Sequence, residues 1–473
     1  MTISLLGRAV TTMVQMLGGM PDAAAPAELE AWRIAWRDLQ SLYDNEHLEV
    51  THRWAQQSHP LRSAEWYRGG GQGYRFFALT SMVCNRLGAT FNRPPELYLH
   101  RGDHQPLDPQ EPEARQWQLD QDDMQLPMVL QSIERRLHAL KQLAVMPAMV
   151  RGRMRWRVYG PHELEVVCDE EDPADLRHAP AVAIEVRRRT TSSSQSYFNV
   201  WTYDEQRNLW GYRFVDIDGR GARTDFFADG RNMYARHPVV MWRSKLPNEG
   251  ETFAAPDEVL LHNQLGCNIA LTDLNFGLKY QVHPQLIEFG KTIEHTGDVY
   301  GPNTVKRYND KNSEGLEYKT PALNLAEYRE TIEWWTRMYT VSEGLPPDTF
   351  SANSSTRNLG AKQHESLELQ VRREAQRPLL EGALRETFEV HKVVSNYWAD
   401  QGVGGRTRYG DDIQLGVRLK PIPQVTDRAT SVQADAAETA EGLNSVVERE
   451  MEASGSSRQQ AEATIRLRRE SAA

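Results

Sequence analysis

Gly290-Lys291-Thr292 is the part of the sequence that comes nearest to a phosphate-binding loop. Such a loop holds phosphates with the backbone N–H groups of a glycine-rich turn, and it requires a glycine five residues before Gly290. Gln285 occupies that position, and the residues that follow it are typical of a strand. We therefore expect no nucleoside triphosphatase site here.

Four consecutive acids, residues 169–172, are the main candidates for a metal site. Their carboxylates could serve a metal-dependent enzyme that processes nucleic acid. Acids that follow one another on a loop without spaced partners are, however, more typical of a solvated turn. The sequence also lacks His-Glu-x-x-His, paired Cys-x-x-Cys and Gly-x-Ser-x-Gly motifs. It identifies no catalytic residue, no metal ligand and no cofactor, so we expect a protein that is not an enzyme.

A polar loop at residues 351–360 is a candidate contact for nucleic acid. Short hydroxyl and amide side chains can touch a phosphate backbone without reading bases, and a single cation gives weak contact rather than a clamp. On composition alone, a plain flexible connector explains the loop equally well. The candidate residues are Ser351, Asn353, Ser354, Ser355, Thr356, Arg357, Asn358 and, just beyond the loop, Lys362.

Overall composition limits the class of protein. The chain has 473 residues, of which 40% are hydrophobic and 25% charged, so several globular lobes are expected. A formal net charge of −10 argues against tight binding of nucleic acid in a basic groove but permits weak, sliding contact with DNA. Three widely spaced cysteines favour a reducing cytoplasm. No stretch approaches the roughly 20 apolar residues of a membrane helix, so we expect no membrane partner.

Helices surround the polar loop. A helix begins near Asp257, a good N-cap residue, and a second helix ends near residue 343. Between them, residues 282–321 contain short strand-like runs separated by turn residues. After the loop, one helix from Ala361 to Trp398 would extend on the order of 57 Å, with a kink expected at Pro378.

The N-terminal half combines helices with a sheet. Amphipathic spacing predicts helices over 27–58, 76–87 and 126–145, with a polar linker or mobile loop at 101–123. From residue 151 to 242, alternating β-branched and aromatic residues predict an antiparallel meander. A strand at 413–419 and a helical segment from about 426 follow. The class is α+β.

This order of parts resembles the portal (head-to-tail connector) proteins of tailed bacteriophages. The similar features include a helix with Asn263 and Asn268 that leads into the strand Pro284-Gln-Leu-Ile-Glu-Phe-Gly290. A β-rich insert, a helix running into Gly344-Leu-Pro-Pro347, a polar loop and a long proline-containing helix complete the pattern. The resemblance covers residues 230–460 well and 75–230 more loosely.

The resemblance implies a portal fold with an α/β wing, a two-helix stem, a small β-rich clip, a long kinked helix and a helical C-terminal crown. The implied boundaries are wing 1–255, stem helices 256–281 and 322–343, clip 282–321, tunnel loop with long helix and wing strand 344–425, and crown 426–473.

The same resemblance implies function and partners. Portal subunits form a twelve-subunit ring at one capsid vertex, through which double-stranded DNA is packaged and ejected. The ring docks the terminase large subunit and the head-tail adaptor, and it contacts the major capsid and scaffolding proteins. Such a protein is assembled in the host cytoplasm and resides in the virion. The clip residues expected to bind partners are Glu288, Lys291, Tyr300, Lys306 and Arg307. The alternatives are the metal-dependent nucleic-acid enzyme and a helical scaffold or adaptor without a channel.

Overall fold

A computed structural model shows the architecture of the chain. Helices combine with four small sheets, which confirms the predicted α+β class. The residues described are 27–67, 70–102, 105–168, 172–177, 179–189, 194–203, 209–217, 220–225, 234, 236–282, 285–290, 305–309, 315–319, 325–345 and 359–420.

The first part of the chain is a layer of helices. The single helix predicted over 27–58 is wrong, because Asn45 adopts a left-handed backbone conformation with φ 63° and the helix stops there. The helix predicted from Phe76 begins instead at Leu79. The helices are α1 (Ala27–Tyr43), α2 (His47–Ser58), α3 (Pro60–Trp66) and α4 (Leu79–Leu87).

The prediction of a polar linker over residues 101–123 is also wrong for the second half of that range. Residues Pro112–Met124 form helix α5, and Leu126–Leu140 form helix α6. The inward face of α5 includes Trp117 and Asp120, which are 2% and 1% exposed. A helix so rich in Gln and Asp is stable here because its polar inward residues find buried partners.

Two antiparallel sheets follow, which confirms the predicted meander. One has the order β3-β2-β9 and the other β4-β5-β6-β7-β8. The helix predicted to reach Val145 ends at Leu140, because the chain then enters β2. The strands are β2 (Gln142–Val150), β3 (Arg153–Tyr159), β4 (Leu164–Val167), β5 (Ala181–Arg189), β6 (Ser194–Tyr203), β7 (Leu209–Ile217), β8 (Arg220–Asp225) and β9 (Val240–Arg243).

A helix pair with a third sheet between its members comes next. The helices are α7 (Glu258–Val282) and α8 (Leu325–Ser342), and the strands are β10 (Gln285–Gly290), β11 (Val305–Asn309) and β12 (Gly315–Lys319). Asp257 caps α7 as predicted, since its Oδ1 accepts a hydrogen bond from the backbone N–H of Leu260 at 2.9 Å.

One long helix, α9 (Leu359–Asp400), ties the N-terminal layer to the sheets. It continues through Pro378, and its buried Leu384 and Phe388 belong to the main core. Trp242 Nε1 on β9 donates to Thr387 Oγ1 at 2.9 Å. The fourth sheet pairs β1 (Glu96–His100) with β13 (Gln414–Arg418). None of the helices in these described ranges is long and apolar enough to cross a membrane.

Candidate functional site

The helices α7 and α8 pack against each other in antiparallel order. At one end, Tyr339 Oη donates to Asp257 Oδ2 over a long 3.5 Å, and Lys141 Nζ lies 2.8 Å from the same oxygen. Further along, the Trp335 ring lies over Gly266, where an added Cβ would lie 3.7 Å from the ring. The third sheet is therefore carried at the opposite end of the pair, where α7 ends and α8 begins.

That third sheet contains three of the five clip residues. Strands β11-β10-β12 pair only with one another among the strands of the described chain. Glu288 on β10 is paired in register with Arg307 on the parallel strand β11, and Ile287 with Lys306. Lys291 and Tyr300 lie outside the described residues.

The tunnel-loop candidates fall almost wholly outside the described residues. This holds for Ser351, Asn353, Ser354, Ser355, Thr356, Arg357 and Asn358. Helix α9 begins at Leu359, so Lys362 lies in its first turn. Residues 426–473, which the resemblance assigns to a crown, are likewise outside the described ranges.

Three buried polar side chains fix α7 to the N-terminal layer. Gln264, Asn268 and Thr272 recur every fourth residue on one face of the helix, and each is 0% exposed. We call this set the amide ladder. Its side-chain oxygens accept hydrogen bonds from three backbone N–H groups. Thr80 N–H donates to Gln264 Oε1 at 2.8 Å, Phe77 N–H to Asn268 Oδ1 at 3.1 Å and Arg75 N–H to Thr272 Oγ1 at 3.0 Å.

The amide ladder explains why helix α4 begins at Leu79 and not at Phe76, where it was predicted to begin. An extended backbone has unpaired N–H groups, and the amide ladder satisfies those of Arg75 and Phe77. Sequence reasoning singled out Asn268 as a signature but missed its role. The signal was present as polar residues at positions i, i+4 and i+8 of an otherwise apolar helix face.

Helix α8 exposes apolar side chains on the side that faces away from α7. Trp334, Met338 and Val341 are 58%, 54% and 47% exposed, and their spacing places them on one face. We call them the α8 stripe. Residues Thr336, Tyr339 and Thr340 on the other face are buried. A contiguous apolar surface of this kind is typical of a protein–protein contact.

A cluster of buried ionic and polar side chains joins helix α5, helix α9 and the segment before β13. Asp120 Oδ2 accepts hydrogen bonds from His391 Nε2 at 2.9 Å, Arg406 Nη2 at 2.5 Å and Tyr409 Oη at 3.1 Å. The remaining ring nitrogen of His391, Nδ1, accepts from Trp156 Nε1 at 3.2 Å. An Asp–His pair is typical of hydrolases. Here Asp120 is 1% and His391 0% exposed, so no substrate can reach them and their role is structural.

The electrostatics of this cluster follow from its geometry. Burial by itself raises the pKa of Asp120, but the hydrogen bonds from His391 and Arg406 and the charge of Arg406 outweigh it and lower the pKa. Asp120 is therefore a carboxylate near neutral pH.

The described residues contain no set of side chains that could ligate a metal ion. Among the residues that the structure describes, no group of three or more His, Cys, Asp or Glu side chains is placed to hold an ion. Of the acids at 169–172, only Asp172 is described. A scan against models of known protein families finds no match for this chain, and a search of curated proteins finds no significant relative.

Proposed function

We propose that the chain is a portal protein, the subunit of a ring at one capsid vertex through which double-stranded DNA enters and leaves. One observation carries the proposal: an antiparallel helix pair holds a self-contained sheet at one end and exposes an apolar surface along its side. In this assignment α7 and α8 are the stem, strands β10 to β12 are the clip, and α9 follows the tunnel loop.

The α8 stripe supports assembly into a ring. Trp and Met are enriched at the centres of protein–protein contacts, and their burial on association is favourable. A surface that docks against a different surface of the next identical subunit generates a closed ring when the rotation closes. We infer that the α8 stripe contacts the neighbouring subunit.

The amide ladder supports a stem that stays attached to the wing. Neutral hydrogen bonds buried between α7 and segment 74–80 resist sliding, because each broken bond leaves a buried polar group unsatisfied. The stem therefore transmits force to the wing as one body while DNA is driven through the ring.

Contact with DNA is assigned to residues 351–358 and Lys362. A chain of net charge −10 with Arg357 at the channel would hold DNA weakly, which suits passage in both directions. The clip, with Glu288, Lys306 and Arg307, would dock the terminase large subunit during packaging and the head-tail adaptor later. Major capsid and scaffolding proteins would contact the wing in the virion.

Native mass spectrometry of the purified chain tests the proposal. The expected result is a single species near twelve times 54.1 kDa, or a neighbouring ring size. A monomer or dimer with metal-dependent cleavage of nucleic acid would instead support the enzyme. A polydisperse helical assembly would support the scaffold without a channel.

A further inference from the structure

Strand β3 carries a row of arginines in this otherwise acidic chain. Residues Arg153, Arg155 and Arg157 alternate with the buried Met154 and Trp156, so the three guanidinium groups share one face. Arg151 adds a fourth at the β2–β3 turn, where it adopts φ 52°. We call the four the β3 arginine row.

Most of the β3 arginine row lacks carboxylate partners. Arg153 pairs with Asp123 at 3.3 Å, but both side chains are well exposed, and such a pair is worth little. Arg151, Arg155 and Arg157 make no ion pair or hydrogen bond with any described residue. Arg155 and Arg157 are half-buried. Partly desolvated cations without a counter-charge are costly, and an anionic ligand would relieve that cost.

An aromatic cleft opens on the same face as the β3 arginine row. Arg157 and Arg155 pair across the sheet with Met146 and Ala148 of β2, which places all four on one face. A cleft of about 220 Å³ is lined by Met146, Ala148 and Arg157 together with Trp201, Tyr234 and Trp398. Tyr234 and Trp398 are half-buried, so their rings are partly accessible.

The spacing of the β3 arginine row matches a polymer of phosphates. Alternate residues of a strand lie about 6.7 Å apart. That is close to the separation of successive phosphates on an extended strand of nucleic acid. Arginine binds phosphate through two parallel N–H···O bonds, and aromatic rings stack on bases of any sequence.

We propose that this face of the β2–β3 strand pair binds a short stretch of single-stranded nucleic acid. Phosphates lie along the β3 arginine row, and one base enters the cleft and stacks on the accessible part of the Trp398 ring. The site uses none of the residues assigned to the DNA channel, and it does not depend on the portal assignment. An unpaired strand fits better than a duplex, because only an unstacked base can enter the cleft.

Fluorescence anisotropy with a labelled oligothymidylate tests the proposal on the full chain. Binding should weaken with salt, with a slope of log K against log salt of about −3 for four phosphate contacts on a single strand. The variant R151Q/R155Q/R157Q should lose about two units of that slope. The variant W398L should bind several-fold more weakly with its slope unchanged, because it removes stacking and leaves the charges.

A charge-matched control is available elsewhere on the surface. Arg62, Arg385 and Arg418 are exposed and lie outside the β3 arginine row, so R62Q/R385Q/R418Q removes the same charge. This control should bind oligothymidylate nearly as the unchanged chain does. Equal losses in both triple variants would overturn the site, since net charge alone would then account for binding.

Competing ligands complete the test. The same oligonucleotide annealed into a duplex, and a polyglutamate peptide of similar charge, should both bind more weakly than the single strand. Tighter binding of the duplex or of the acidic peptide would overturn the assignment in favour of that partner. An oligothymidylate that does not bind at all at low salt would also overturn it.

Discussion

His391 Nε2 and Asp120 Oδ2 lie 2.9 Å apart although 271 residues separate them in the chain. The pair joins α5 to α9, and Arg406 and Tyr409 add donors from the segment before β13. The carboxylate of Asp120 therefore holds three separate parts of the chain together at one oxygen.

Replacing Asp120 by Asn should destabilise the subunit strongly. The change removes the charge that compensates Arg406, whose side chain is 4% exposed. Loss of one partner from a buried ion pair costs about 3–5 kcal/mol. Urea unfolding of D120N should show this loss relative to D122N, a change at an exposed position of the same helix. A loss below about 1 kcal/mol, the size expected of an exposed pair, would show that the cluster contributes little.

Stability should depend on pH through His138. Burial, aided by Lys141, Arg372 and Arg373, lowers the pKa of His138 to about 3 from 6.5. The unfolded chain therefore binds a proton that the folded chain excludes once the pH falls below about 6.5. The contribution of His138 to the free energy of unfolding is fully present above that pH, and it is lost as the pH falls towards 3.

The measurement is the free energy of unfolding between pH 6.5 and 4.5. His138 should contribute a loss of about 1.4 kcal/mol per pH unit. The variant H138L should flatten the profile by that amount relative to the unchanged chain. A profile for H138L parallel to that of the unchanged chain would show that His138 accepts its proton when folded.

Replacing Asn268 by Leu should loosen the junction between α7 and segment 74–80. The substitution removes the acceptor for Phe77 N–H and the donor to Thr51 Oγ1, which lie at 3.1 and 3.0 Å. An unsatisfied buried group costs about 1–3 kcal/mol, so unfolding should require that much less free energy. Amide hydrogen exchange at Phe77 should accelerate accordingly.

Asn263 provides a matched control on the same helix. Its side chain donates only to the carbonyl of Val259 in its own helix, at 2.8 Å. In the variant N263L, the backbone amide of Phe77 should exchange its hydrogen at the same rate as in the unchanged chain. Similar acceleration in both variants would mean that the effect reflects α7 as a whole and not the amide ladder.

Local patterns predicted many elements but not the contacts between distant ones. The long helix, the strands β10 and β12 and the cap at Asp257 follow from periodicity, turn residues and one side chain. Helix α5 was missed because the partners that stabilise Asp120 lie at residues 391–409. The amide ladder was missed for the same reason, since its acceptors on α7 serve backbone N–H groups almost 200 residues earlier.

Replacing Trp334 by Glu should prevent ring assembly without unfolding the subunit. Its side chain is 58% exposed, and an exposed substitution costs within about 0.5 kcal/mol of stability. A buried charge in a subunit contact, by contrast, is strongly unfavourable. Light scattering should give a ring for the unchanged chain and a monomer for W334E.

Leu61 is the natural control for this experiment. It is 94% exposed and lies on α3, so it is not part of the α8 stripe. The variant L61E should assemble normally. If W334E assembles into the same species as L61E, the α8 stripe does not lie in the subunit contact. Another surface would then hold the ring together.

Cryo-electron microscopy of the purified full-length chain tests the portal assignment most directly. The expected image is a closed ring with an open axial channel. Helices α7 and α8 should line the channel wall, strands β10 to β12 should project at one end, and the α8 stripe should lie between neighbouring subunits. Discrete monomers or dimers, an open filament, or a ring with α7 and α8 on its outer rim would contradict the assignment.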